Sequence, residues 1–167
     1  MNAIQNALKI AAQKQIEYRN QANIASRDAL LVWEAQLSGL MESIEEWIQP
    51  LYDLDGFITE AKASAYLVTD SSGREEEREG SSLRLSFADT SLLIAPKHFK
   101  VEGSLTTATG SVEVYGEGMV APYEITYING HFDSIRRQGN NLLFGELTFN
   151  QILAAEVPRL KPPILEA

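Results

Sequence analysis

The chain has 167 residues, no cysteine and a formal net charge of −9 at pH 7. This length fits one domain, or one domain with an extension, and can bury a core without disulfides. The absence of cysteine excludes thiolate metal ligands and cysteine nucleophiles and is typical of a reducing compartment. We expect a cytoplasmic protein, because we find neither a secretory signal nor an apolar run long enough to cross a membrane.

Acidic residues dominate most strongly after residue 50. Residues 1–50 contain six acids and four bases, whereas residues 51–167 contain 17 acids and ten bases. Direct binding to nucleic acid is disfavoured, because contacts to phosphates need a basic surface. The negative charge serves solubility, or it binds a basic protein partner. A further alternative is an acidic decoy that occupies a nucleic-acid-binding protein.

Residues 3–48 are mainly good helix formers, and the first proline is Pro50. In the second half of this segment, apolar residues recur at alternating spacings of three and four, as in a coiled coil. One continuous helix would be about 70 Å long, longer than the rest of the chain can cover. A break near Asn20, Asn23 and Ser26, which are helix-capping residue types, would give a helical hairpin instead. The apolar seam consists of Leu30, Trp33, Leu37, Leu40, Ile44 and Trp47.

Acidic residues cluster around the end of this helix. Three glutamates lie in its last turns, where carboxylates oppose the negative end of the helix dipole, and two aspartates follow in a predicted turn. Such a patch suggests a docking site for Lys and Arg side chains of a partner; the alternative is a solvated helix end. The predicted protein-binding residues are Tyr18, Glu42, Glu45, Glu46, Asp53 and Asp55.

The remaining two-thirds of the sequence favours β-structure. Residues 57–68 fit a strand or a helix, and we favour a strand. Residues 70–80 have no apolar side chain and are predicted to form an exposed loop. The apolar period then changes to two, which is typical of antiparallel strands with one face on a core. We assign strand character as far as residues 143–149, followed by a short helix at residues 151–156 capped by Asn150.

The Asn129-Gly130 pair predicts a two-residue hairpin turn, because both positions need positive φ. The resulting register pairs Tyr127 with Phe132 on the core face and Thr126 with Asp133. Ile125 then faces Ser134 across the hairpin.

Strands that follow a helix, instead of alternating with helices, indicate an α+β protein. We predict a long N-terminal helix, or a helical hairpin, packed on an antiparallel meander sheet of about six or seven strands. Residues 1–50 would form the helical segment, and residues 51–167 the β-rich domain with its short C-terminal helix and tail. The seam can cover the sheet within one subunit. Residues 3–29 are then left to bind a partner or a second copy.

Catalytic residue types are sparse. His131 and Asp133 occupy alternate positions of a strand, but Ser134 points to the other face and cannot complete a triad with them. The sequence shows no cofactor motif, and two histidines without dense carboxylate spacing do not predict a metal site. An enzyme is therefore disfavoured. His131 and Asp133 remain an alternative ligand or active site.

We expect a non-enzymatic protein-binding module, forming homo-oligomers, that regulates or inhibits a protein partner. Adaptors, immunity proteins and anti-defence proteins act in this way. One alternative is a cup for a small apolar ligand, formed by a curved sheet, or an enzyme with its site at His131 and Asp133. The other is the acidic decoy.

Overall fold

We describe residues 2–102 and 107–163 of the chain in a computed structural model. The alternating pattern that predicts antiparallel strands also runs through residues 99–105, and residues 103–105 of it lie outside the described residues. Short 3₁₀ turns follow each helix, at Gln49–Leu51 and Val157–Arg159. The elements are α1 (Ala3–Trp47), β1 (Phe57–Thr69), β2 (Glu75–Phe87), β3 (Thr90–Val101), β4 (Ala108–Tyr115), β5 (Tyr123–Ile128), β6 (His131–Arg137), β7 (Asn140–Leu143) and α2 (Glu146–Glu156).

The N-terminal segment is one continuous helix, so the helical hairpin is wrong. Asn2 caps α1 through a capping box: its side chain accepts from the backbone N–H of Gln5 at 2.8 Å, and Gln5 returns the bond. Asn20 and Asn23 stay exposed within the helix. Ser26 does not cap a second helix, because its hydroxyl donates to Ser71 at 2.8 Å. Capping residue types alone do not break a helix that a continuous run of helix formers supports.

Seven strands form one sheet in the order β1 to β7, with every consecutive pair antiparallel. This confirms the α+β class, the meander and the strand at residues 57–68. One pairing was not anticipated: the end of β1 also pairs in parallel with β3, where Leu67 faces His98. A Cβ at Gly80 of β2 would lie 2.8 Å from a ring carbon of Tyr66 and 2.9 Å from Leu37. Glycine therefore allows the β1–β2 ribbon to approach α1 closely.

The loop predicted over residues 70–80 is wrong in its second half, because β2 begins at Glu75. The connection is a tight turn in which Asp70 Oδ1 accepts from the backbone N–H groups of Ser72 and Arg74 at 2.9 and 3.0 Å. Glu75 pairs with Thr69 of β1. Pairing with β1 satisfies the backbone N–H and C=O groups of this stretch, so it forms a strand although both of its faces are polar.

The turn at Asn129 and Gly130 has φ values of 44° and 94°, as predicted. Tyr127 pairs with Phe132, and their ring centroids are 5.2 Å apart. Beyond that pair the predicted register is wrong by one residue. Thr126 faces Ser134 and Ile125 faces Ile135, because a β-bulge at Asp133 adds a residue to β6. The bulge keeps the Ile135 side chain on the core face of the sheet.

The strand character predicted at residues 143–149 is also wrong beyond Leu143, since α2 starts at Glu146. Asn150 lies inside this helix and does not cap its N-terminus, where the N-cap residue is Gly145. The apparent alternation of Leu147 with Phe149 is coincidental, because Leu147 is exposed and Phe149 is fully buried. The buried positions of α2 follow helical spacing instead. They are Phe149, Ile152, Leu153 and Glu156.

The predicted seam of α1 lies against the sheet of the same chain. Trp33 is fully buried and contacts rings from four strands: Tyr66 (6.1 Å between ring centroids), Phe99 (5.2 Å), Tyr127 (4.9 Å) and Phe132 (5.8 Å). The Trp33 Nε1–H donates to the Tyr66 hydroxyl at 3.1 Å. Of the other seam residues, Leu37, Leu40 and Ile44 are buried, and Leu30 and Trp47 are partly buried.

Replacing Tyr66 with Phe should lower the free energy of unfolding at pH 7 by about 1–3 kcal/mol, because the Trp33 N–H would lose its acceptor. Burial also raises the pKa of Tyr66 and Tyr127, so the unfolded chain ionises at a lower pH than the folded one. Stability should therefore fall as the pH rises above about 10. The fall should be smaller in the Tyr66→Phe variant. Urea titrations of both proteins across this range would detect it, and parallel pH profiles would contradict it.

Candidate functional site

The first half of α1 extends beyond the sheet. Every residue from 2 to 21, a segment that we call the arm, is exposed. The arm is about 30 Å long at roughly 1.5 Å per residue. The first buried residue of the helix is Ala22, one turn before Ser26, whose hydroxyl contacts Ser71 in the turn of the β1–β2 hairpin. The arm needs no nucleation of its own, because it continues a helix that the core already holds.

The arm carries large apolar side chains in contact with water. Ile4 is 81% exposed and Leu8 is 69% exposed. Because successive helical residues are about 100° apart, these two lie on the same side of α1 as Trp33. Exposed apolar side chains therefore occur on this side of the helix beyond the edge of the sheet, although Gln15 and Arg19 interrupt them. An apolar helix face without a cover is typical of an interaction surface. The predicted site residue Tyr18 is also on the arm and is half-exposed, with the Arg19 guanidinium 6.0 Å from its ring centre.

The predicted acidic residues lie at the opposite end of α1. Glu42, Glu45 and Glu46 border a shallow polar depression together with Tyr52 and Thr59. The other two predicted acids occupy the exposed turn before β1. In the part of the chain that the structure describes, none of the five carboxylates has an ion-pair partner within 4.0 Å. Their charges are therefore free to meet an external cation.

Tyr18 does not belong to the same surface as the acidic patch. Tyr18 and Glu42 are about 36 Å apart along the helix axis at roughly 1.5 Å per residue. The six predicted protein-binding residues thus form two separate surfaces, one at each end of α1. A single partner would have to span both of them to contact all six residues.

His131 and Asp133 do not form a joint site. His131 is exposed and pairs with Ile128 at the hairpin end, whereas Asp133 accepts a hydrogen bond from Thr126 Oγ1 at 2.9 Å. Asp133 borders a shallow depression on the outer sheet face that also includes His98. The bulge, which sequence patterns do not reveal, sets this arrangement.

The outer sheet face contains one histidine–serine pair that sequence reasoning missed. His98 Nδ1 and Ser111 Oγ are 2.7 Å apart, since the two residues face each other on β3 and β4. Ser111 is only 1% exposed, so a substrate could not reach its hydroxyl in this conformation. The pair therefore supports the sheet and does not offer a nucleophile. Within residues 2–102 and 107–163, no group of three or more histidine, aspartate and glutamate residues is arranged to hold a metal ion.

An apolar groove lies where the end of α1 meets α2, and it was also missed. The Asn150 side-chain amide donates to the carbonyl oxygen of Trp47 at 3.1 Å and ties the two helices together. The groove has a volume of about 310 Å³. It joins residues distant in sequence, which is why apolar periodicity could not reveal it. Its walls are Trp47, Ile48, Pro50, Leu51, Phe87, Asn150, Leu153, Ala154, Val157 and Pro158.

A buried ion pair fixes α2 to the sheet below this groove. Glu156 is 2% exposed, and its Oε1 accepts from Arg137 Nη1 at 2.8 Å. The Arg137 guanidinium also lies 4.3 Å from the ring centre of Tyr123. Burial raises the pKa of Tyr123, which therefore stays neutral beside this pair. The arrangement holds α2 in place and has no open face for a substrate.

Comparison with known proteins gave no match: no protein-family model, curated protein or solved structure is significantly similar to the chain. Its function therefore has to be inferred from its own surfaces. Among the described residues, neither helix combines the length and apolar character needed to cross a bilayer.

Replacing Arg137 with Met should lower the free energy of unfolding by about 3 kcal/mol, because Glu156 would remain buried without its cation. Arg136→Met is the matched control, since its exposed pair with Glu124 is worth at most about 1 kcal/mol. Chemical denaturation at pH 7 would measure both. Equal effects of the two substitutions would contradict this account of the ion pair.

Proposed function

We propose that the protein is a non-enzymatic, cytoplasmic protein-binding module that acts by protein–protein interaction. It regulates or inhibits its partner, in the manner of an adaptor, an immunity protein or an anti-defence protein, and it forms homo-oligomers. The exposure of Ile4 and Leu8 on the arm carries this proposal. Their burial against a partner would remove apolar surface from contact with water. This contributes roughly 25 cal/mol of binding free energy per Å², before the costs of association are subtracted.

The acidic patch gives this module a second surface. Glu42, Glu45 and Glu46 lie on consecutive turns next to Tyr52, a residue type enriched in protein interfaces. Unpaired carboxylates would attract a basic partner and accelerate its association. Adaptor function needs two such surfaces, and α1 separates them rigidly.

A small apolar ligand is the second candidate function, and the groove between α1 and α2 favours it. The predicted cup beneath the sheet is not open, since Trp33, Leu37 and Ile44 fill that side. The groove offers apolar walls and a volume in the usual range for small-molecule sites.

The acidic decoy remains a third candidate, based on the net charge of −9. Its binding should weaken steeply as salt is added.

Partner capture from the native host tests the main proposal. Leu8→Asp should reduce recovery of a specific partner at least about tenfold, the equivalent of 1.4 kcal/mol, because a charge would enter the apolar interface. Ile10→Asp is the matched control, since Ile10 lies about 200° away around the helix. Glu45→Lys tests the acidic patch in the same experiment. Recovery of the same proteins by all variants would contradict the proposal.

A further inference from the structure

The charges along α1 are divided unevenly between its two halves, and the acids near its C-terminal end oppose the helix dipole. Residues 1–27 contain four bases and one acid, whereas residues 28–61 contain eight acids and no base. The first turn of α1 has no acidic residue, and its last turn has no basic residue. This order disfavours an isolated helix, whose positive end is the N-terminus. Glu34 and Glu60 are ion-paired within the chain. The two ends of the molecule still carry opposite charge, because the arm is basic and the far end holds the carboxylates of Glu42, Glu45, Glu46, Asp53 and Asp55.

The apolar surfaces are complementary in the same sense. The arm offers two exposed branched side chains on one side, Ile4 and Leu8, and its charged residues are mostly basic. The groove offers apolar walls and contains no basic residue. Its α1 wall begins at Trp47, and the glutamates just before it border the separate acidic depression at the same end of α1. An amphipathic helix that inserts its apolar face in a groove is a common recognition mode.

The arm cannot reach the groove of its own chain. From Gln21, the last arm residue, to Trp47 the helix is continuous and about 39 Å long at roughly 1.5 Å per residue. The arm and the groove therefore lie at opposite ends of one rigid element. Any contact between them has to join two molecules.

We propose that the arm of one copy docks in the groove between α1 and α2 of a second copy, head to tail. This inference takes from the proposed function only the use of the arm as a binding surface. It identifies the partner as a second copy of the chain. The contact is heterologous, so repeated copies form a ring if the geometry closes and a filament if it does not. Lateral pairing of two arms would instead bring like charges together, since the arm contains Lys9, Lys14 and Arg19 but only one acid, Glu17.

Two variants of the full chain separate this contact from others. Leu8→Asp damages the arm and leaves the groove intact. Ala154→Arg places a bulky cation in the groove and leaves the arm intact; Ala154 is exposed, so the fold should survive. The controls are Ile10→Asp on the arm and Ala155→Arg, an exposed position of α2 outside the groove. Circular dichroism verifies that all four fold.

Light scattering and sedimentation of the pure proteins then give the result. The wild type should form concentration-dependent oligomers that dissociate as salt is added. Leu8→Asp and Ala154→Arg should each weaken self-association at least about tenfold, while both controls behave as the wild type. Mixing the two damaged variants should give a dimer that grows no further, because each supplies the surface that the other lacks.

Three results would overturn the inference. The first is a wild type that stays monomeric at high micromolar concentration. The second is loss of association in Leu8→Asp but not in Ala154→Arg, which would indicate that arms pair with arms. The third is a mixture of Leu8→Asp and Ala154→Arg that stays monomeric. A monomeric wild type whose Leu8→Asp variant still loses a captured host protein would refute only the head-to-tail contact. Binding of a protein partner through the arm would then stand, and the homo-oligomer in the proposed function would be wrong.

Discussion

The packing of Trp33 is the interaction on which the rest of the structure depends. Its indole joins α1 to rings from β1, β3, β5 and β6. On β4 the facing residue is Gly110, where a Cβ would lie 2.7 Å from the indole. Five strands are thus shaped around one side chain, and loss of a buried tryptophan typically costs about 3–5 kcal/mol. This contact also fixes which part of α1 lies over the sheet and which part extends beyond it.

The sequence predicts the core well where burial follows a regular period. The seam positions such as Leu37 and Ile44 are spaced as the inner face of a helix must be, and Tyr127 and Phe132 face each other because the Asn129-Gly130 turn sets their register. These features depend on local backbone geometry and on apolar spacing, both of which are visible in one chain.

Features that arise from tertiary contact were predicted incorrectly or missed. The first part of β2 has no apolar alternation, since pairing with β1 holds it. The bulge at Asp133 is decided by the need to bury Ile135, and α2 begins early because Phe149 fits between α1 and the sheet. In the candidate site, the sequence predicted that the arm is a binding surface. It did not predict the groove, because the groove forms only where Phe87 and Leu153 meet α1.

α1 therefore combines two environments in one uninterrupted element, a half that packs into the core and an exposed half that we propose as a binding surface. Amide hydrogen exchange followed by mass spectrometry tests this division most directly. In dilute solution, amides of residues 30–47 should exchange only through global unfolding, whereas those of residues 2–21 should exchange quickly through local fraying. Raising the protein concentration should slow exchange in residues 2–21. Equal protection of both halves in dilute solution would contradict the account.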